Sequence, residues 1–139
     1  MAAIASDAID EAALSRQVER PEAGAVTVFT GRVRDNDPQA DGRVVSLDYS
    51  AHPMAPARLL EIVTAALAEA DPQGECAVAV AHRVGHLEVG DTAFMVAVSA
   101  PHRRVTFELC ELVVERVKAE LPIWKQQFES DGSYKWSGL

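Results

Sequence analysis

Residues 92 to 100 read TAFMVAVSA, and from Ala93 to Val98 no polar residue interrupts the apolar ones. A strand with one face in water alternates apolar and polar residues with period two, so an unbroken β-prone run belongs to a strand buried on both faces. Both faces of this segment must be covered, by helices of the same chain or by a second copy of it. On that ground a dimer is expected.

The neighbouring segments supply the helices. Ser6 or Asp7 is placed to cap a first helix to about Glu19, with Ile9, Ala13, Leu14 and Val18 on one face and Pro21 beyond its end. MAPARLLEIVTAALAEA, residues 54 to 70, predicts a second helix that turns Leu59 or Leu60, Ile62, Val63, Ala66 and Leu67 to a core before Asp71-Pro72 ends it. A long third helix is predicted from about His102 to Glu120, with Pro122 as its stop. Strands are predicted in GAVTVFTGRVR, VVSLDYSAH, CAVAVAHRVG and TAFMVAVSA, with DNDPQADG (residues 35 to 42) as a turn-rich loop and Gly90-Asp91 as a turn. In the second of these, Val45, Leu47 and Tyr49 are expected on the buried face. The tail after Pro122 is expected to be irregular. Helix, two strands, helix, two strands, helix is an α+β order, a single domain over residues 1–139 with a mixed or antiparallel sheet and helices packed against it.

Composition excludes several classes of partner. The 139 residues carry 13 Lys and Arg against 21 Asp and Glu, a formal charge of -8, which opposes non-specific binding to nucleic acid or to an anionic membrane. The opening MAAIASDAIDEAA lacks a basic segment, and no apolar run reaches the length of a membrane span, so the expected address is cytoplasmic. Cys76 and Cys110 sit in apolar runs without C-x-x-C spacing and read as reduced core residues. No metal-binding or nucleotide-binding motif occurs, and neither metal nor cofactor is expected.

The basic residues gather at element ends. Arg32 and Arg34 leave the first strand, His102, Arg103 and Arg104 open the last helix, and Lys118 and Lys125 flank Pro122-Ile123-Trp124. Arginines at a helix N-terminus oppose the macrodipole, and a bound anion would remove the conflict; pairing with a surface carboxylate such as Glu108 would also do so. Lys118 suits the last turn of a helix with or without a ligand. Two lysines seven residues apart across a proline can face one pocket, one holding an anion and the other acting as acid or base; alternatively Trp124 fills the core and Lys125 is solvated. Spacing alone points to a small anionic ligand.

GAVTVFTGRVR, HRVGHLEVGD, VSAPHRR and VKAELPIWKQQ, in this order and spacing, resemble the catalytic large subunit of molybdopterin synthase from about Gly24 to Trp136. The resemblance implies a hammerhead-type α+β fold and a homodimer at the centre of a heterotetramer, with a small ubiquitin-like sulfur-carrier subunit at each end. The carrier's C-terminal Gly-Gly thiocarboxylate would enter the large subunit's pocket, and two sulfurs would pass to cyclic pyranopterin monophosphate to give the dithiolene of molybdopterin. It further implies that Arg32, Val33 and Arg34 line the substrate site, that His102 and Arg103 address the phosphate, that Lys118 lies nearest the carrier's terminal carbonyl, and that Lys125, Gln126 and Gln127 form a second lysine segment. Gln126-Gln127 departs from the basic residue and Glu frequent in the family at this point. Two other classes compatible with the residues are a non-catalytic dimeric module for a phosphorylated metabolite and an interaction subunit that docks a ubiquitin-like partner without chemistry.

Overall fold

The structure is a computed structural model that describes residues 1–37 and 42–139. The apolar run becomes β6 (Thr92–Ala100), an inner strand of a four-stranded sheet in the order β1 (Ala2–Ala5), β4 (Ala77–Arg83), β6, β2 (Ala25–Arg32). Its pleat divides the run. Phe94, Val96 and Val98 join Val80 against Leu59, Ile62, Val63 and Ala66 of α2 (Ala55–Ala70) and Leu109, Val113 and Val117 of α3 (Arg103–Glu120). Met95 and Ala97 turn the other way, with Ala77, Ala79 and Ala81, onto Leu14 of α1 (Glu11–Arg16) and Val18. The alanines leave room for one short helix to close on the sheet. Helices of the same chain thus cover both faces, so the run does not itself call for a second copy.

The N-terminus departs from expectation. Asp10, rather than Ser6 or Asp7, caps α1 by accepting a hydrogen bond from the Ala13 amide at 3.0 Å. The residues before it form β1, parallel to β4. Nothing in AAIA marks a strand; the open edge of β4 supplies the hydrogen-bond partners that local propensity does not specify.

A second, wholly antiparallel sheet runs in the order β5 (Gly85–Glu88), β3 (Val44–Ala51), β7 (Ile123–Glu129), β8 (Tyr134–Gly138). Leu121 leaves α3 in extended conformation before Pro122, as expected of a helix stop. The tail beyond is not irregular, however, but a hairpin turned at Gly132, whose φ of 87° suits glycine. Its inward face is largely polar, so the apolar alternation that signals a strand is missing. A register shift between Val44 and Ser46 turns Val45 outward while Val44 and Leu47 stay buried, which corrects the expected inward face of β3 at its first residue. The predicted loop 35–42 lies partly outside the described residues, at 38–41. One apolar cluster joins the sheets, with Phe94 and Val96 from the first meeting Tyr49 and Ile123 from the second. The fold is α+β, as the sequence order predicts.

Candidate functional site

Two cationic groups form, at opposite ends of α3. At its C-terminal end, Pro122 reverses the chain into β7 and brings Lys125 back beside Lys118. Lys118 titrates below the ordinary lysine value, first because its surroundings desolvate it and then because Lys125 repels a second charge, with Arg34 adding to the effect and Glu115 opposing it. Like charges act on one another this way only when close, so Lys118, Lys125 and Arg34 share one neighbourhood. Lys125 Nζ lies 3.6 Å from Asp37 Oδ2, and both side chains are largely covered.

The pleat of β7 sorts the residues around Lys125. Gln127 points to the same inward face, is 3% exposed, and has no hydrogen-bond partner for its Nε2 among the described residues. Ser137 lies opposite Lys125 on β8 with a buried Oγ that has no partner among the described residues, and Tyr49 lies opposite on β3. Gln126 and Trp124 alternate to the outer face, Gln126 beside Trp136, and Trp124 is exposed. The indole therefore neither fills the core nor stacks on the Lys125 ammonium: neighbours along a strand point to opposite sides.

The residues after β2 are sorted as sharply. Arg32 reaches away to Glu11 at 3.3 Å. Val33 is buried with Val44, Leu47, Leu87 and Ala93, and its backbone pairs with Gly90 and Asp91, so it supports the site from the core. Only Arg34 of the three joins the lysines.

At the N-terminal end of α3, His102, Arg103, Arg104, Phe107 and Glu108 line a surface pocket of about 560 Å³. Arg104 lies 4.0 Å from Glu108, one turn on, whereas the Arg103 guanidinium has no ion pair among the described residues. Arg103 and Lys118 are separated by fifteen residues of one helix, about 22 Å along its axis. Within one chain, a small ligand held at Lys118 is out of reach of His102 and Arg103.

Sequence reasoning missed Tyr49, which stands opposite Lys125 in the β3–β7 pairing, and His82, the buried ring packed against it. The His82 ring stacks on Phe94 with centroids 5.4 Å apart and meets the edge of Tyr49 at 5.3 Å. Burial pushes His82 down to about 4 and Tyr49 up to about 12. Both thiols are raised to about 11, Cys76 and Cys110 alike, with burial the first cause. Neither thiol is poised as a nucleophile.

Comparison with known proteins places the chain in a family. The family model described as MoaE protein matches residues 4–120, which takes in Lys118 and stops short of Lys125. The chain belongs to the MoaE family. Its curated relatives include the molybdopterin synthase catalytic subunit of Bacillus subtilis, 41% identical over 88% of this chain and 75% of the relative. Molybdopterin synthase catalytic subunit 1 of Mycobacterium tuberculosis is 38% identical over 87% and 79%. Among solved structures, molybdopterin synthase from Staphylococcus aureus superposes with a TM-score of 0.86 at 31% identity, covering 98% of this chain and 96% of that one. A complex of subunits 1 and 2 of molybdopterin-converting factor from Helicobacter pylori shares the fold at TM-score 0.70 and 23% identity, over 98% of this chain and 89% of that one. The MoaE likeness in structure thus extends through β7 and β8, where the lysine segment lies.

Proposed function

We propose that this chain, as one domain over residues 1–139, is the catalytic subunit of a molybdopterin synthase and moves sulfur from the thiocarboxylate of a small ubiquitin-like carrier onto cyclic pyranopterin monophosphate, in the cytoplasm. The observation that carries this is the convergence of Lys118, Lys125 and Arg34, with Lys118 titrating below an ordinary lysine. Carrier tail and substrate are both anions, and sulfur release from an acyl group builds negative charge on its oxygen. An ammonium fixed there stabilises that charge where water is scarce. Lys118 takes this role, Lys125 holds a substrate oxygen, and Arg34 and Gln127 complete the binding surface. With both cysteine thiols protonated, the sulfur comes from the partner. Among the described residues no helix is long and apolar enough to cross a membrane.

The span between the two ends of α3 supports a homodimer in which His102 and Arg103 of one copy face the lysines of the other and take the substrate phosphate. With a carrier on each copy, the assembly is a heterotetramer. Single-turnover conversion with preformed thiocarboxylated carrier tests the function. Wild type is expected to form the dithiolene product, and Lys118→Ala to fall by about a hundredfold or more while folding and carrier docking persist, because the docking surface far exceeds one side chain. No product from wild type rejects the activity; normal turnover by Lys118→Ala rejects the site.

A further inference from the structure

HRVGHLEVGD, residues 82 to 91, supplies no group to sulfur transfer as proposed, yet its second half, β5 and the turn after it, borders the segment that carries Arg34. Arg34 has an anchored residue on either side. Val33 donates to the Asp91 carbonyl at 3.0 Å and accepts from the Gly90 amide at 2.7 Å, while the Asp35 carbonyl accepts from the Val44 amide at 2.8 Å, where β3 begins. The turn is bound back to the end of β5, because Asp91 Oδ2 accepts from the Glu88 amide at 2.9 Å and the Asp91 amide donates to the Glu88 carbonyl at 3.1 Å. Arg34 is therefore strung between β5 and β3. His86 spans these two strands on their outer face. It stands opposite Asp48, with Nδ1 2.7 Å from Asp48 Oδ1 and Nε2 2.8 Å from Glu88 Oε1. Ionised carboxylates only accept hydrogen bonds, so both nitrogens carry protons and the ring is an imidazolium. A neutral ring has a single N–H; it would keep one carboxylate and point its lone pair at the other.

We propose that His86 is a positioning residue for Arg34: its imidazolium ties Asp48 to Glu88 across the two strands and so fixes the frame in which the substrate-binding guanidinium is held. This rests on the assignment of Arg34 to substrate binding. The charged groups around the ring come from each neighbouring element. β3 contributes Asp48, β5 contributes Glu88, and the following turn contributes Asp91; Arg83 of β4 is turned to the His86 carbonyl oxygen at 3.5 Å. Gln126 of β7, opposite Asp48, does not titrate. The hydrogen bonds to Glu88 and then to Asp48 raise the ring above the ordinary histidine value and outweigh its slight desolvation. Because the folded ring holds its proton more tightly than the unfolded one, the tie is complete below about pH 6.5 and is lost as pH rises through the folded value. Exposed charge pairs are weak, so the expected consequence is a modest loosening of the Arg34 segment.

Imidazole ¹⁵N shifts of the whole protein are expected to show both His86 nitrogens protonated at about pH 6, and the titration of the ring to move down in Asp48→Asn and again in Glu88→Gln. A wild-type ring that titrates at or below the ordinary histidine value overturns the proposal. Amide exchange reads the frame without substrate. At about pH 6 the Val33 and Gly90 amides are expected to exchange about threefold faster in His86→Phe, which keeps a planar ring and removes both donors, than in wild type. Calorimetry at the same pH is expected to find cyclic pyranopterin monophosphate bound about threefold more weakly by His86→Phe, with the single-turnover rate at saturating substrate unchanged. The affinities should converge as rising pH neutralises the wild-type ring. Equal exchange in the two proteins, equal affinity while Arg34→Ala is impaired, or an affinity difference that does not narrow with rising pH also overturns it. If His86→Phe does not fold, Glu88→Gln takes its place in both measurements. Failure of the Arg34 assignment looks different: Arg34→Ala then binds substrate as wild type does, while the exchange difference and the raised titration of His86 persist.

Discussion

Arg32 and Arg34 are two positions apart in one basic motif, yet one is tied to Glu11 and the other stands with the lysines. Replacing Arg34 by Ala is expected to weaken substrate binding by about 1.5–3 kcal/mol, the range for losing a charge-assisted hydrogen bond, while Arg32→Ala leaves it unchanged. Titration calorimetry with both variants checks this, and equal losses would return both arginines to a diffuse electrostatic role. The cysteines give a complementary expectation. Thiols raised to about 11 stay protonated near neutrality, so Cys76→Ser is expected to keep full single-turnover activity, and a large loss would implicate a protein-bound sulfur. Sequence motifs were enough to pick out Lys118, Lys125 and Arg34 as candidates, because cations at element ends are visible without coordinates. His82 and Tyr49 were not legible: their significance lies in a stacking contact between sheets, and no local pattern announces one.

Between residue and molecule, β7 is the element that turns a helix stop into a site. Ile123 anchors it, 2% exposed in the cluster that joins the two sheets, and the His52 amide donates to the Pro122 carbonyl at 3.0 Å. Ile123→Ala is expected to cost about 3 kcal/mol, as cavity-forming substitutions do, whereas Trp124→Ala, on the outer face, changes stability little. Urea midpoints of the two variants distinguish this from an aromatic brace, which would reverse the order. The strand escaped sequence reading because KQQ has no apolar alternation, and an irregular tail left Gln126 and Gln127 equivalent; the pleat makes them opposites. His82 ties the same junction to pH. Its folded-state value near 4 lies below the ordinary 6.5, so between these values the unfolded chain binds a proton that the folded one refuses. Its contribution is fully present above about pH 6.5 and is lost as pH falls towards 4, on the order of 3 kcal/mol in full. Denaturant unfolding near pH 7 and near pH 4.5 is expected to show a smaller acid loss in His82→Gln than in wild type. Equal losses would assign the acid sensitivity to carboxylates alone.

At the scale of the whole molecule, the question is how an acidic chain assembles a site for two anions. Its fifteen-residue separation along α3 puts His102 and Arg103 about 22 Å from Lys118, while the net charge of -8 makes the cationic ends its exceptions. A two-fold dimer that sets the N-terminal end of one α3 against the C-terminal end of the other would unite the two sets twice over, as isologous contacts do. The expectation can be checked without a structure of the complex. Arg103→Ala and Lys118→Ala are each expected to be nearly inactive alone. Refolded together in equal amounts, they form mixed dimers in half of all pairings, and each mixed dimer holds one site with both residues intact and one lacking both. Activity is therefore expected to recover to about a quarter of the wild-type level per chain, since half of the dimers carry one working site of two. If Lys118 and Arg103 of the same chain served one site, every site in the mixture would lack one of them and no activity would return. A mixture that stays inactive while light scattering reports dimers would place the phosphate elsewhere, with the Arg103 pocket a separate surface of the fold.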